Sequence, residues 1–185
     1  MKRAGGRGEA WATGFPPVEP RRARVLILGT LPGAESIRRG EYYAHPRNAF
    51  WTIMGELFGA GRELSFAQRR RNLAACGVML WDVLHMARRP GSLDSDIHPR
   101  HRVANDIPAL LARHPELERI VFNGGAAERL FRRHVAKRCG PLLNGIQLVR
   151  LPSTSPAHAT RRVPEKLAAW RDGLGTGRIR PGPSG

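Results

Sequence analysis

Arg24-Val25-Leu26-Ile27-Leu28-Gly29-Thr30-Leu31-Pro32-Gly33 decides the reading of the fold. Four aliphatic residues in a row, Val25 to Leu28, leave no polar face, so the run suits a strand buried on both sides. The glycines and proline that follow close it with a turn. Three further apolar runs repeat the pattern: Val78–Trp81, Arg119–Asn123 and Ile146–Leu151. Between them the apolar spacing is helical. Phe50, Ile53, Met54, Leu57 and Phe58 share one face, and Val103, Ile107, Leu110 and Leu111 another. Ala127, Leu130, Phe131 and Val135 form a third, with Arg129, Arg132, Arg133 and Lys137 mostly turned away. Pro164 suits the first position of a last helix, whose stripe is Leu167, Trp170 and Leu174. Strands alternating with helices predict an α/β fold: a parallel sheet with helices on both faces and all strand C-termini on one edge.

That edge collects Gly29–Gly33, Trp81–Asp82, Asn123–Gly125 and Leu151–Ser155. Ligands of α/β sheets bind beyond such an edge, so the convergence predicts one site. Gly29-Thr30-Leu31-Pro32-Gly33 lets a ligand approach the backbone. It lacks the Lys-Ser/Thr of a phosphate-binding P-loop and the third glycine of a dinucleotide fingerprint. A tight turn with no further role is the alternative for this segment.

Soon after comes Tyr42-Tyr43-Ala44-His45-Pro46-Arg47-Asn48-Ala49-Phe50-Trp51, four rings in a chain that is 6% aromatic. Flat rings beside directed polar groups suit a nucleobase. Asn48 offers a donor and an acceptor, and it is equally a good N-cap for the helix that follows. Asp82, at a strand end, is a candidate to bind a base edge, or else a cap or an arginine partner. Leu151-Pro152-Ser153-Thr154-Ser155-Pro156-Ala157-His158 is a proline-stiffened loop that can offer hydroxyls and N–H groups to phosphates, and Arg161 and Arg162 follow it. Its plain alternative is a connection that caps the next helix. His98 and His101 lack the carboxylates or cysteines of a metal framework, and no metal is expected. A serine hydrolase is disfavoured, because no nucleophile elbow is present.

The chain has 185 residues, with 31 Lys and Arg against 15 Asp and Glu, a net charge of +16 and a pI near 11.6. Such an excess points first to a polyanion, most often nucleic acid. An arginine-rich surface with no partner would give the same sum, and the charge is spread too evenly to locate a groove. Cys76 and Cys139 are too few for a disulfide scaffold and suit a reducing compartment. No leader or membrane-length apolar run is seen, so a cytoplasmic location, with no membrane association, is expected. Residues 1–23 and 175–185 read as flexible tails around one domain, 24–174.

Taken together, these motifs resemble the uracil-DNA glycosylase superfamily over most of residues 24–174. Gly29–Gly33 is similar to its first motif and Leu151–Ala157 to its second. The combination of GTLPG, YYAHPRNAFW, LWDVL and LPSTSPA is most similar to the hypoxanthine-DNA (deoxyinosine) glycosylase branch. The resemblance implies a three-layer α/β/α sandwich with a central four-stranded parallel sheet. It also implies a monofunctional enzyme without metal or cofactor that flips out a deaminated base and cleaves its N-glycosidic bond. Two positions depart from the pattern. Leu31 stands where many uracil enzymes carry a water-directing Asp or Asn, and Leu151 where many carry a base-stabilising His or Asn. The resemblance therefore shifts the chemistry to Asn48, which would orient water or hold the base. Ser155 stands where an apolar wedge is common, with Arg161 or Arg162 as substitutes.

The expected catalytic residue is thus Asn48. Tyr42, Tyr43, Asp82, Gly29 and Leu31 are expected around the base. Pro32, Gly33, His45, Arg47, Ser153, Thr154, Ser155, His158, Arg161 and Arg162 are expected along the DNA. The partner is double-stranded DNA, with single strands left open, and the protein is expected to act as a monomer. A uracil-preferring enzyme and a non-catalytic DNA-binding module are the competing functions.

Overall fold

The computed structural model describes residues 11–89, 97–98, 100–158 and 161–175. Four strands form the central sheet: β2 (Val25–Gly29), β3 (Val78–Asp82), β6 (Arg119–Asn123) and β7 (Gln147–Leu151). They pair in the order β3-β2-β6-β7, all parallel. β2 is buried along its whole length, as the unbroken Val25–Leu28 run requires.

Helices α1 (Ala34–Arg39), α2 (Phe50–Phe58) and α3 (Phe66–Ala75) connect β2 to β3. Helix α4 (Ile107–Arg113) precedes β6, and α5 (Gly125–His134) and α6 (Ala136–Cys139) join β6 to β7. The final helix, α7 (Val163–Leu174), packs against α2, while α4 and α5 pack with α6. Two helical layers thus enclose the sheet. Trp51, Trp170, Phe50, Phe122 and Phe131 are the largest fully buried side chains.

The chain leaves β2 toward β3 on one side and leaves β6 toward β7 on the other. Divergence of neighbouring connections opens a crevice at the carboxyl edge between β2 and β6, which is where such sheets bind ligands.

A second, antiparallel sheet differs from the sequence reading. It joins β1 (Trp11–Thr13), β4 (Leu84–Arg88) and β5 (Arg102–Ala104) in the order β1-β4-β5. Residues 11–23, assigned to the N-terminal tail, therefore hold a strand, and Val18 and Ala23 lie in the core. Val103 sits exposed in β5 rather than on the helix begun by Ile107. Pro164 is the second residue of α7, after Val163. Residues 1–10 and 176–185 of the two tails lie outside the described residues.

Candidate active site

The crevice opens into a cavity of about 950 Å³. It is lined by the Gly29–Gly33 turn, the Tyr42–Asn48 segment, Asp82, the end of β6 and the Ser153–His158 loop. Sequence reasoning brings these same segments to one edge; Arg161 and Arg162 lie outside the cavity.

Gly29 and Asp82 are register partners in the β2–β3 ladder. A Cβ on Gly29 would run into Asp82 Oδ1 and come within 2.7 Å of the Tyr43 hydroxyl. The absent side chain is what lets a carboxylate and a phenol converge at the floor of the cavity. Asp82 is 3% exposed, and its backbone carbonyl accepts a 2.8 Å bond from Asn105 Nδ2.

The two tyrosines part company. Tyr42 is 3% exposed, edge-on to Phe15, with its hydroxyl 3.2 Å from the Pro16 carbonyl. Burial pushes its pKa far up, and the Asp82 charge adds to this. Tyr42 therefore belongs to the core wall of the site. Tyr43 is half-buried and stacks on Phe50 at 4.0 Å and 24°. It has a φ of 52°, the one positive φ outside glycine among the described residues. Holding a tyrosine there costs about 1–2 kcal/mol, and the Phe50 stack helps hold it. Trp51 Nε1 donates to the Tyr42 carbonyl at 2.7 Å, and the Ala44 N–H to Ser36 Oγ at 3.1 Å, which fastens the segment to α1 and α2.

Asn48 is held on every side but one. Its N–H donates to the His45 carbonyl at 2.9 Å. Its own carbonyl accepts from Arg62 Nη2. Its Oδ1 accepts from the Phe50 N–H at 3.0 Å, capping α2 from the residue before Ala49, the N-cap. The capping and the chemical readings thus use different atoms. The side-chain NH2 makes no hydrogen bond among the described residues, so two donors remain.

The second-motif loop is preshaped. Ser153 Oγ accepts from the Ser155 N–H at 3.2 Å and Ser155 Oγ from the Ala157 N–H at 3.3 Å, which leaves both hydroxyl protons to donate. Thr154 differs from its neighbours: it is 1% exposed, and its Oγ1 accepts from Asn123 Nδ2 at 2.9 Å. Its hydroxyl is buried against β6 rather than offered to DNA. Leu151 packs against Gly173 of α7, and Leu31 is buried near Gly14. Leu31 still lines the cavity as an apolar wall.

His45 and Arg47 both line the cavity, and His45 Nδ1 accepts from the Arg47 N–H at 3.1 Å. Arg161 lines a smaller cavity of about 350 Å³ next door, with Arg150, His158 and Lys166. Lys166 donates to the His158 carbonyl at 2.8 Å, and burial lowers its pKa. Arg162 bonds to Glu165 at the start of α7 and lines neither cavity. His98 and His101 stack on each other at 4.3 Å.

Arg129 and Glu35 also line the cavity and escaped the sequence reading, and Asn123, which that reading placed at the sheet edge without a role, lines it too. Arg129 lies on the polar face of α5, and because α5 starts at the cavity, that face becomes its rim. Hydrogen bonds from Arg38 and Arg39 hold the Glu35 carboxyl down to about 2. A depressed carboxylate pKa means that this pairing supports folding above the ordinary value of 4.5 and loses that effect as pH falls through about 2. At neutral pH Glu35 therefore screens two arginines at the rim. Glu35→Gln is expected to tighten non-specific DNA binding and steepen its salt dependence, read by fluorescence anisotropy across a salt series.

Gly124 joins β6 to α5 at φ 99° and ψ 164°, a conformation essentially restricted to glycine. A Cβ there would stand 2.9 Å from Ser153 Cβ. Gly124→Ala is expected to cost about 1–3 kcal/mol in urea unfolding and to displace the Ser153 loop.

The family model of the uracil DNA glycosylase superfamily matches residues 16–173. The chain belongs to that superfamily. Two curated relatives bear the name hypoxanthine DNA glycosylase. The one from Methanosarcina acetivorans is 35% identical over 148 residues, 78% of this chain and 87% of the relative. The one from Methanosarcina barkeri is 37% identical over 112 residues, 60% of this chain and 70% of the relative. A solution NMR structure of a protein assigned as a uracil DNA glycosylase, also from M. acetivorans, superimposes with a TM-score of 0.69. It is 32% identical, and the match covers 88% of this chain and 98% of that one. The four-stranded parallel sheet flanked by helices matches the fold of that solved structure. Among the described residues no helix is long and apolar enough to cross a membrane.

Proposed function

We propose that this protein is a monofunctional DNA glycosylase that removes hypoxanthine from deoxyinosine in double-stranded DNA, acting as a monomer. The observation that carries the reading is Asn48. Its oxygen is committed to the Phe50 N–H, so what it presents to the cavity is a pair of N–H donors. Donors of this kind suit a base that leaves with negative charge.

In the reaction the C1′–N9 bond breaks and its electron pair goes to the base. Water adds to C1′ and loses a proton, while the departing base gains one from solvent. The products are hypoxanthine and an abasic sugar. Fixed donors aimed at the developing charge are the strongest contribution a site can make to such a step. Asn48 supplies them. No carboxylate stands at Leu31 to activate the water, which suits a loose transition state that needs little nucleophilic push.

Hypoxanthine carries an N–H at N1, and the Asp82 carboxylate can only accept. Adenine has a bare lone pair at the same ring position, which a carboxylate repels. Asp82 thus favours the deaminated base over its parent. Tyr43, backed by Phe50, supplies the stacking surface. The cavity volume lies near the top of the usual range for small-molecule pockets of about 300–1,000 Å³, which suits a bicyclic purine with its sugar. Duplex phosphates would lie along Arg47, Arg129, Arg161 and the hydroxyls of Ser153 and Ser155. Replacing Arg129 by Ala is expected to weaken binding of all sequences alike and to lower the salt slope by roughly 0.9.

Side-by-side assays on duplexes containing deoxyinosine, deoxyuridine or no lesion test the proposal. Abasic product is expected fastest from deoxyinosine and absent from the undamaged duplex. Faster turnover of deoxyuridine would replace the substrate, and no product from either lesion would overturn the activity.

A further inference from the structure

Asn123 of β6 and Thr154 of the second-motif loop make a reciprocal pair across 31 positions of sequence. Asn123 Nδ2 donates to Thr154 Oγ1 at 2.9 Å, and the Thr154 N–H donates to Asn123 Oδ1 at 2.9 Å. They are 8% and 1% exposed. A buried amide paired through both its nitrogen and its oxygen is costly to disturb, because breaking either bond strands a polar group away from water. The Thr154 carbonyl then accepts the Ala49 N–H at 3.0 Å. That N–H belongs to the Asn48–Ala49 peptide unit, whose carbonyl is held from the opposite edge by Arg62. In a trans peptide the two groups point in opposite directions, so the plane is clamped on both edges.

On the glycosylase reading proposed above, we infer that Asn123 and Thr154 are positioning residues: their buried pair aims the Asn48 amide and couples it to the Ser153–Ser155 loop that grips DNA. The coupling follows from the chain itself. Ser153 and Ser155 flank Thr154, so a phosphate drawn onto their hydroxyls loads the same loop whose middle carbonyl holds Asn48. The Asn123 side chain keeps that loop from shifting relative to the sheet edge. The donors on Asn48 are therefore held in fixed register with the loop on which the DNA backbone is seated.

Thr154→Val removes the Oγ1 acceptor at constant volume, and Thr154→Ser keeps it. In single-turnover assays on a deoxyinosine duplex, Thr154→Val is expected to slow excision by at least about tenfold, since small misplacements at a reacting centre are that expensive. Affinity for a duplex bearing a stable abasic analogue should be unchanged, and Thr154→Ser should restore the rate. Asn123→Leu combined with Thr154→Val should be no slower than the worse single variant, as expected of one unit. An unaltered rate in Thr154→Val would overturn the inference. So would equal losses in Thr154→Val and Thr154→Ser with binding falling in step, because that pattern marks general loosening of the loop. If the wild-type protein leaves deoxyinosine intact, the glycosylase reading fails by itself. The clamp is then judged by NMR: the Asn48 side-chain amide and Ala49 N–H resonances should move in Thr154→Val, and unmoved resonances would overturn it.

Discussion

Asn48→Asp is expected to fold like the wild-type protein and to lose excision of hypoxanthine by about 10²–10³-fold in single-turnover rate. The substitution separates the two jobs of this residue. An aspartate oxygen still accepts the Phe50 N–H and caps α2, so the melting temperature should hold. What disappears is the NH2 group. In its place stands a negative oxygen facing a base that is itself becoming negative. Asn48→Ala removes the cap as well, and should add a stability loss of about 0.5–2 kcal/mol to a comparable loss of rate. Wild-type rates in a stable Asn48→Asp protein would leave the residue as a helix cap only.

The second large effect is expected at Asp82. Asp82→Ala should lower kcat/KM on deoxyinosine by about 10- to 100-fold, the scale of one hydrogen bond to a charged group. Asp82→Asn is the more informative change. Its amide can turn either an oxygen or an NH2 toward the ring, so it should act on deoxyinosine more slowly while tolerating adenine-type edges better. Competition between deoxyinosine and deoxyadenosine duplexes measures that loss of discrimination. Gly29 matters to the same step. Gly29→Ala would press a methyl group against Asp82 Oδ1 and the Tyr43 hydroxyl, and it should impair the base-binding floor without touching the DNA rim.

Much of the central sheet is legible because β2, β3 and nearly all of β6 are buried, which writes them as almost unbroken apolar runs, while the edge strand β7 is only partly buried. The small sheet left no such mark. Its strands are short and half-polar, and Trp11–Thr13 finds its partner Met86–Arg88 more than seventy residues away. Val103 shows the same limit: its four-residue spacing from Ile107 looks helical, yet it belongs to β5, which ends at Ala104, three residues before α4 begins. Within the site, residues whose position follows from chain order were readable. Gly29, Asp82 and Asn48 fall at strand ends or a helix start, and local pattern reaches that far. Thr154 was not, because its partner Asn123 lies 31 positions away at the end of β6 and a Ser/Thr-rich loop looks uniformly phosphate-binding. Arg62 carries no local signal at all. It acts on His45 and Asn48 from a loop after α2, through contacts that only folding creates.

Everything proposed for the site rests on the cavity releasing a free base by hydrolysis. That release is tested most directly by incubating the wild-type protein with a duplex that contains one deoxyinosine and measuring both products. Free hypoxanthine, detected by mass spectrometry, is expected in amounts equal to the alkali-labile abasic strand. Tight binding to the lesion duplex with neither product formed would contradict it and make the protein a DNA-binding module on a glycosylase fold.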